Sequence, residues 1–196
     1  MTYPAQKPRA ASEPTMILPL FRRNRRVDTI SALYGTIVAQ ARRPCFYQDF
    51  AVPDTINGRF DLLVLHLVLV IERLNAEEGL RALAQGLFDR FCQDIDYNFR
   101  EMGVGDLAVP KEMRKVAEAF YGRTKAYEAA LASTDTQALE LTVARNVFGA
   151  SEPILGARRL AAYMRQAAQM LGQWDLAAGR ELHFPDPQAL PEPALG

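Results

Sequence analysis

The sequence predicts an all-α fold: a single helical domain of six or seven helices with irregular N- and C-terminal tails. Three observations carry this. Apolar residues recur at three- and four-residue spacing through most of the chain, the period of a helix face. The prolines, and the glycines at 103, 105, 149 and 156, fall between those stretches rather than inside them. No run offers a partner strand, and 196 residues are enough for one ordinary core without staples. The expected boundaries are a flexible basic arm over 1–26, the helical domain over 27–172 and an irregular tail over 173–196.

Met1 to Leu20 is rich in Pro and Ala and lacks any period, which reads as a flexible tail. Ile17, Leu18, Leu20 and Phe21 are free there to touch the fold or a membrane, and Arg22, Arg23, Arg25 and Arg26 follow. Asp28 or Thr29 is the expected cap of a helix to about Arg43, with Ile30, Leu33, Tyr34, Ile37, Val38 and Ala41 on its apolar face. Pro44 ends it. Cys45 to Asn57 reads as a loop with Phe46, Tyr47 and Phe50 packed inward. Asp54 or Thr55 caps the next element.

Arg59 to Asn75 is the expected central helix. The run from Leu62 to Ile71 is broken only by His66, so this helix must be surrounded by others. Its Val and Ile content also suits a buried strand; the lack of a partner strand favours helix. Glu77 to Met102 reads as a long amphipathic helix, with a comb at Leu87, Phe91, Ile95, Phe99 and Met102. Gly103 and Gly105 stop it, and Pro110 restarts a helix to Leu131. Met113, Val116, Phe120 and Tyr127 share one face of that helix. Asp135 precedes a helix to about Phe148; Gly149, Pro153 and Gly156 break the chain. Ala157 to Leu171 is the last helix. Trp174 and Phe184 fold back, while Pro185, Pro187, Pro191 and Pro193 mark a frayed end.

The formal net charge of zero hides an asymmetry. Residues 1–43 carry eight Lys/Arg against Glu13 and Asp28, a net of 8 − 2 = +6. Such a front end suits anionic partners, phospholipid headgroups or RNA, or simply a solvated arm. Cys45 and Cys92 are far apart with no CxxC or Cys/His pair, which fits two buried thiols. The longest apolar run, Leu62 to Ile71, is half of what a bilayer requires. The N-terminus shows no secretory signal. It is Arg- and Ala-rich like a mitochondrial presequence, but four prolines by position 19 oppose an amphipathic helix there.

No P-loop, GxSxG, HExxH or Cys/His nucleophile pair is present. Gly103-x-Gly105-x-x-Ala108 matches a dinucleotide fingerprint in letters only, because a helix rather than a strand precedes it. Asp94-x-Asp96-x-Asn98 opens like a calcium loop, then puts Phe99 where Gly belongs and Gly105 where Glu belongs. Asp94, Asp96, Glu101 and Asp106 read as ion-pair partners of Arg90 and Arg100 before they read as acid–base groups. The turn itself has two readings: a helix stop with its connecting loop, or a place where backbone approaches a partner and Asp106 holds it.

A distinctive string runs through this turn. Asp96, Arg100-Glu101-Met102-Gly103-Val104-Gly105-Asp106-Leu107, Val109-Pro110-Lys111 and Phe120-Tyr121-Gly122-Arg123 together resemble the ubiquinol–cytochrome c chaperone family. Leu33-Tyr34, Ala39-Gln40-Ala41-Arg42, Asp54-Thr55, Gly58-Arg59-Phe60-Asp61, Tyr127 and Arg145-Asn146 extend the resemblance over about Ala32 to Tyr163. The resemblance implies an assembly chaperone for the cytochrome bc1 complex (respiratory complex III). Such a protein looks after newly made, immature cytochrome b; the mechanism expected here is a groove in the helical domain that shields an apolar segment of it, in helix-in-groove fashion. It implies no enzymatic activity, no cofactor, no metal and no DNA. Its implied partners are cytochrome b, the ribosome and a small partner protein, with peripheral contact to an anionic membrane. The expected place is cytoplasmic, at the inner face of the inner membrane, or the matrix side in a eukaryote. The short N-terminus fits bacterial relatives, which share the domain without a long targeting extension.

On this reading the candidate partner-binding residues are Arg100, Glu101, Gly103, Gly105, Asp106, Lys111, Arg114, Lys115, Tyr121 and Arg123. Arg22, Arg23, Arg25 and Arg26 are the candidate anionic-surface contacts. A different class stays open: a small-ligand or lipid-binding helical domain at the membrane surface, with an enclosed apolar pocket beside His66. An enzyme would instead need a polar cleft converging on Asp96, Glu101 and Arg123.

Overall fold

The computed structural model describes residues 18–176 and 178–190, with side chains from 26 onward. Its helices are α1 (Leu18–Ala41), α2 (Pro44–Gln48), α3 (Ile56–Asn75), α4 (Arg81–Glu101), α5 (Val109–Ala132), α6 (Thr136–Val143) and α7 (Leu155–Gly172). A 3-10 turn, Glu78–Leu80, precedes α4, and another, Pro187–Ala189, lies near the end. No strand occurs among the described residues, so the fold is all-α as the sequence predicts.

α3 is the centre, with every residue from Val64 to Ile71 buried. α1, α4, α5 and α7 all pack against it. Each large side chain so buried stabilises the fold by about 1.5–3 kcal/mol. Thr55 caps the helix, its hydroxyl accepting the Gly58 N–H at 3.1 Å. Asp135 caps α6 by accepting the Gln137 N–H at 2.9 Å.

Several boundaries depart from expectation. α1 starts at Leu18, so Asp28 and Thr29 lie inside the helix and residues 18–26 of the expected flexible arm are helical. The reason is local: Pro19 falls in the first turn, where its missing N–H costs nothing, and the arginines that follow are good helix formers. The rest of the arm, with Ile17, lies outside the described residues. Pro44 does not only end a helix; it starts the short α2 inside the stretch read as loop. After Val143 the chain widens into a π turn, Ala144–Phe148, closed by left-handed Gly149. The tail is irregular but docked rather than frayed, because Pro185 and Pro187 are buried. Asp186 pairs with Arg43 at 2.7 Å, and Gln40 donates to the Pro185 carbonyl. Pro191 and Pro193 lie outside the described residues.

His66 is the core histidine that the sequence suggests. It has no exposed surface, and the rings of Phe46, Tyr163 and Phe184 pack edge-on or tilted around it. The Leu62 carbonyl, 2.7 Å from Nδ1, can only accept, so Nδ1 carries the proton. Nε2 therefore accepts from the Tyr163 hydroxyl at 2.9 Å, which in turn accepts from Gln40. Both ring nitrogens of the neutral form are satisfied.

Gly156, at the start of α7, lies against the α2–α3 connection. A Cβ there would stand 2.2 Å from the Phe50 carbonyl oxygen, a backbone atom that cannot swing away. Gly156→Ala is expected to cost about 1–3 kcal/mol through a forced backbone shift. The midpoint of a urea transition measures this; an unchanged midpoint would show that the contact yields freely.

Candidate functional site

Register fixes the layout of the bundle. The Arg26 guanidinium donates to the Ala82 carbonyl, Ile30 lies against Gly86, and the Tyr34 hydroxyl donates to Asp94 at 2.9 Å. α1 and α4 therefore run side by side in one direction. α3 and α5 meet at Asp61–Arg123 and again at Glu72–Glu128, so they share the other direction. The C-terminal ends of α1 and α4 thus converge on the N-terminal ends of α3 and α5.

At that end the helices splay and leave an open groove of about 600 Å³. Its floor is apolar. Val38 and Ala41 come from α1, Phe60 and Leu63 from α3. Ile95, Phe99 and Met102 line the α4 side, and Val116 and Ala119 the α5 side. Arg42, Arg59, Glu101, Glu112 and Lys115 form a charged rim, with the carboxamides of Asn57 and Asn98 between them. A smaller, more polar depression lies under the tail, around Asp49, Phe50, Arg159 and Gln188.

The glycine turn forms one lip of the groove. Gly103 holds φ +81°, a left-handed conformation that other residues adopt only with strain. The Val104 N–H then reaches back to the Phe99 carbonyl at 3.0 Å, which closes the helix end. Arg100 pins the turn from within, donating to Asp96 at 2.7 Å and to Asp106. Glu101 accepts from the Tyr97 hydroxyl at 2.8 Å. Beyond the glycines the loop carries Leu107, which is 99% exposed.

The candidate residues separate into three places. Glu101 and Lys115 are on the groove rim, beside the turn formed by Arg100, Gly103, Gly105 and Asp106. Lys111, Arg114 and Tyr121 are exposed along α5; Tyr121 packs against Phe88 and Phe120 while keeping an open face. Arg123 is elsewhere. Its guanidinium turns inward, donates to Asp61 at 2.5 Å and lies over the Phe60 ring at 5.6 Å. Arg123 is thus held by α3 rather than offered to a partner. The side chains of Arg22, Arg23 and Arg25 lie outside the described residues, and Arg26 is engaged with α4.

Asp61 is 6% exposed, and burial pushes its carboxyl up to about 6 against the opposing pull of Arg123. Tyr127 and Asn146 adjoin this pair, and burial raises the Tyr127 phenol. Glu72 is raised to about 7, by burial first and then by sharing a hydrogen bond with Glu128. Asp94, Asp96, Asp106 and Arg123 all point at fixed protein partners, so no cleft converges on Asp96, Glu101 and Arg123. No group of His, Cys, Asp and Glu among the described residues could hold a metal ion. No described helix is long and apolar enough to cross a membrane. The groove does not reach His66.

Residues 48–183 match the sequence profile described as ubiquinol-cytochrome C chaperone. The chain belongs to the ubiquinol-cytochrome c chaperone family. The crystal structure of the Cbp3 homolog from Brucella abortus is similar, with a TM-score of 0.79 and 40% identity over 90% of this chain and 100% of that one. Ubiquinol-cytochrome c reductase complex assembly factor 1 of Drosophila melanogaster is 26% identical over 151 residues, which cover 73% of this chain and 58% of that protein. The factor of the same name from Xenopus laevis is 23% identical over 91 residues, 46% of each chain. The matched regions thus span only about half the length of these two relatives. Within the family, the matched span contains the α3, α4 and α5 walls of the groove, while α1 supplies the remaining wall from outside it.

The residues that sequence reasoning missed are those of the groove itself. Val38, Phe60, Leu63 and Phe99 look like ordinary core positions. The one available signal is that the α4 comb continues to Met102, at the very end of the helix, where 57% of that side chain proves to be exposed.

Proposed function

We propose that this protein is an assembly chaperone of the cytochrome bc1 complex and that its groove holds an apolar segment of newly made cytochrome b. The observation that carries the reading is the open, apolar-floored groove at the splayed end of the bundle. Membership of the chaperone family and the names of the Drosophila and Xenopus relatives supply the biological context. An unassembled membrane subunit has apolar surface that water and other chains would otherwise meet, and a groove of this kind covers one side-chain row of it. The exposed Lys111 and Arg114 are the contacts for the anionic headgroups or ribosomal RNA beside which that cargo emerges, and the basic residues Arg22, Arg23 and Arg25 of the sequence add to the same attraction. Each basic residue near an anionic leaflet contributes about 1 kcal/mol, so this contact weakens with salt.

The test is capture of cytochrome b by tagged protein, read alongside bc1 levels in cells where the chromosomal copy is replaced. Met102→Glu puts a charge on the lip, and Ala119→Trp fills the floor. Each is expected to lower capture about tenfold while leaving the thermal melt near that of the wild type. Normal bc1 levels in cells lacking the protein would end the reading. Undiminished capture by both variants would move the cargo off the groove.

A further inference from the structure

The charges on the groove rim are unevenly matched. The Arg59 guanidinium is held by Asp54 at 2.7 Å. Lys115 binds both carboxylate oxygens of Glu112, at 2.9 and 3.0 Å. Arg42, just past the last turn of α1, is exposed and has no carboxylate within ion-pair distance among the described residues. On the neighbouring α4, Glu101 accepts only from the neutral Tyr97 hydroxyl and has no cation within ion-pair distance among the described residues. Among the described residues of the rim, Arg42 on the α1 lip and Glu101 on the α4 lip are therefore the cation and the anion without an ion-pair partner.

The floor argues for the shape of what fits. A volume of about 600 Å³ takes a row of side chains, not a whole helix. A helical segment satisfies its own backbone groups and so can lay one apolar row into the groove without stranding N–H or C=O. The carboxamides of Asn57 and Asn98 are the neutral polar groups of the lining and meet its flanks.

We propose that the groove accepts an apolar helical segment of a partner polypeptide carrying a carboxylate at the end that lies against Arg42. The inference rests on reading the groove as the cargo site, and adds what the cargo must carry. An acid placed against the α4 lip would face Glu101 and be repelled, so the favourable place for it is beside Arg42.

Two synthetic amphipathic helical peptides test this. They share one leucine face and differ only in a terminal-turn Glu or Lys. Binding to the full chain is followed by fluorescence anisotropy at low and high salt. The Glu peptide is expected to bind on the order of fivefold more tightly at low salt, with the gap closing at high salt. Arg42→Gln should erase the preference and Arg42→Glu should reverse it. Ala119→Trp, or the neutral Met102→Gln as a second groove variant, should weaken both peptides alike. Equal affinities, no binding of either peptide, a preference that survives Arg42→Gln, or full binding by both groove variants would each overturn the inference. The peptide preference is read without cytochrome b, so failure of cytochrome b capture by the wild type remains a separate result that strikes the assembly reading alone.

Discussion

Arg123→Ala is expected to destabilise the protein by about 3 kcal/mol at neutral pH. Asp61 sits almost out of water, and its one charged partner among the described residues is the Arg123 guanidinium at 2.5 Å. Removing one member of a buried pair strands the other, which must stay charged without compensation or take up a proton, and breaking such a pair typically costs about 3–5 kcal/mol. Arg123 is itself partly exposed, which puts the expected loss at the low end. The pH dependence has a definite sign. The folded-state carboxyl already lies near 6, above its unfolded value, so the folded chain holds a proton that the unfolded chain has released. Stability from this group is greatest below about pH 4 and declines as pH rises through 6. Without Arg123 the carboxyl rises further, and the decline steepens and extends upward. The double variant Asp61→Leu/Arg123→Met should recover most of the loss. Urea unfolding at pH 5 and pH 7.5 measures all three proteins. An Arg123→Ala protein as stable as the wild type would show that the pair contributes nothing. The result also governs how charge scans of this face are read, because loss of function at Arg123 reports folding, whereas loss at Lys111 or Arg114 reports contact.

The second large effect is acid sensitivity set by His66. Burial holds its imidazole at about 4, against the pull of the Leu62 carbonyl, while the unfolded chain titrates near 6.5. The unfolded state therefore binds more protons between those values, and stability present above pH 6.5 is lost as pH falls toward 4. A difference of 2.5 units at about 1.36 kcal/mol each amounts to about 3 kcal/mol. Charging the ring would also turn Nε2 into a donor facing Tyr163, whose hydroxyl would have to reverse. Asp61 and Glu72 slope the other way over parts of this range, so the net curve of the wild type masks the histidine's contribution. His66→Gln isolates the histidine: less stable at pH 7.5, it should close about 3 kcal/mol of the gap by pH 4. Parallel stability curves for the two proteins would show that His66 does not carry the effect.

How far the sequence reveals this depends on whether a signal is local. The caps at Thr55 and Asp135, the central position of α3 and the core role of His66 follow from neighbours within a few residues. The direction of Arg123 does not, because its partner is 62 positions away and a basic residue in a motif looks the same whether it faces in or out. The groove is hidden for a related reason. Phe99 belongs to the same apolar stripe as Phe91, and only the splay of four helix ends decides that Phe91 is covered while Phe99 borders open space. The docked tail is the third case. A proline-rich stretch reads as frayed, yet Phe184 lies against the His66 ring and Asp186 against Arg43, contacts that fasten the tail to α3 and to the end of α1.

That closing strap has a practical bearing on shortened versions of the protein. The family match stops at residue 183, one position before Phe184. Trimming there would uncover the edge of the His66 ring and strip the Pro185 carbonyl from Gln40 and the Asp186 carboxylate from Arg43. Leu190 is the safer cut, and an affinity handle belongs beyond it, where it leaves the seal over the central histidine undisturbed.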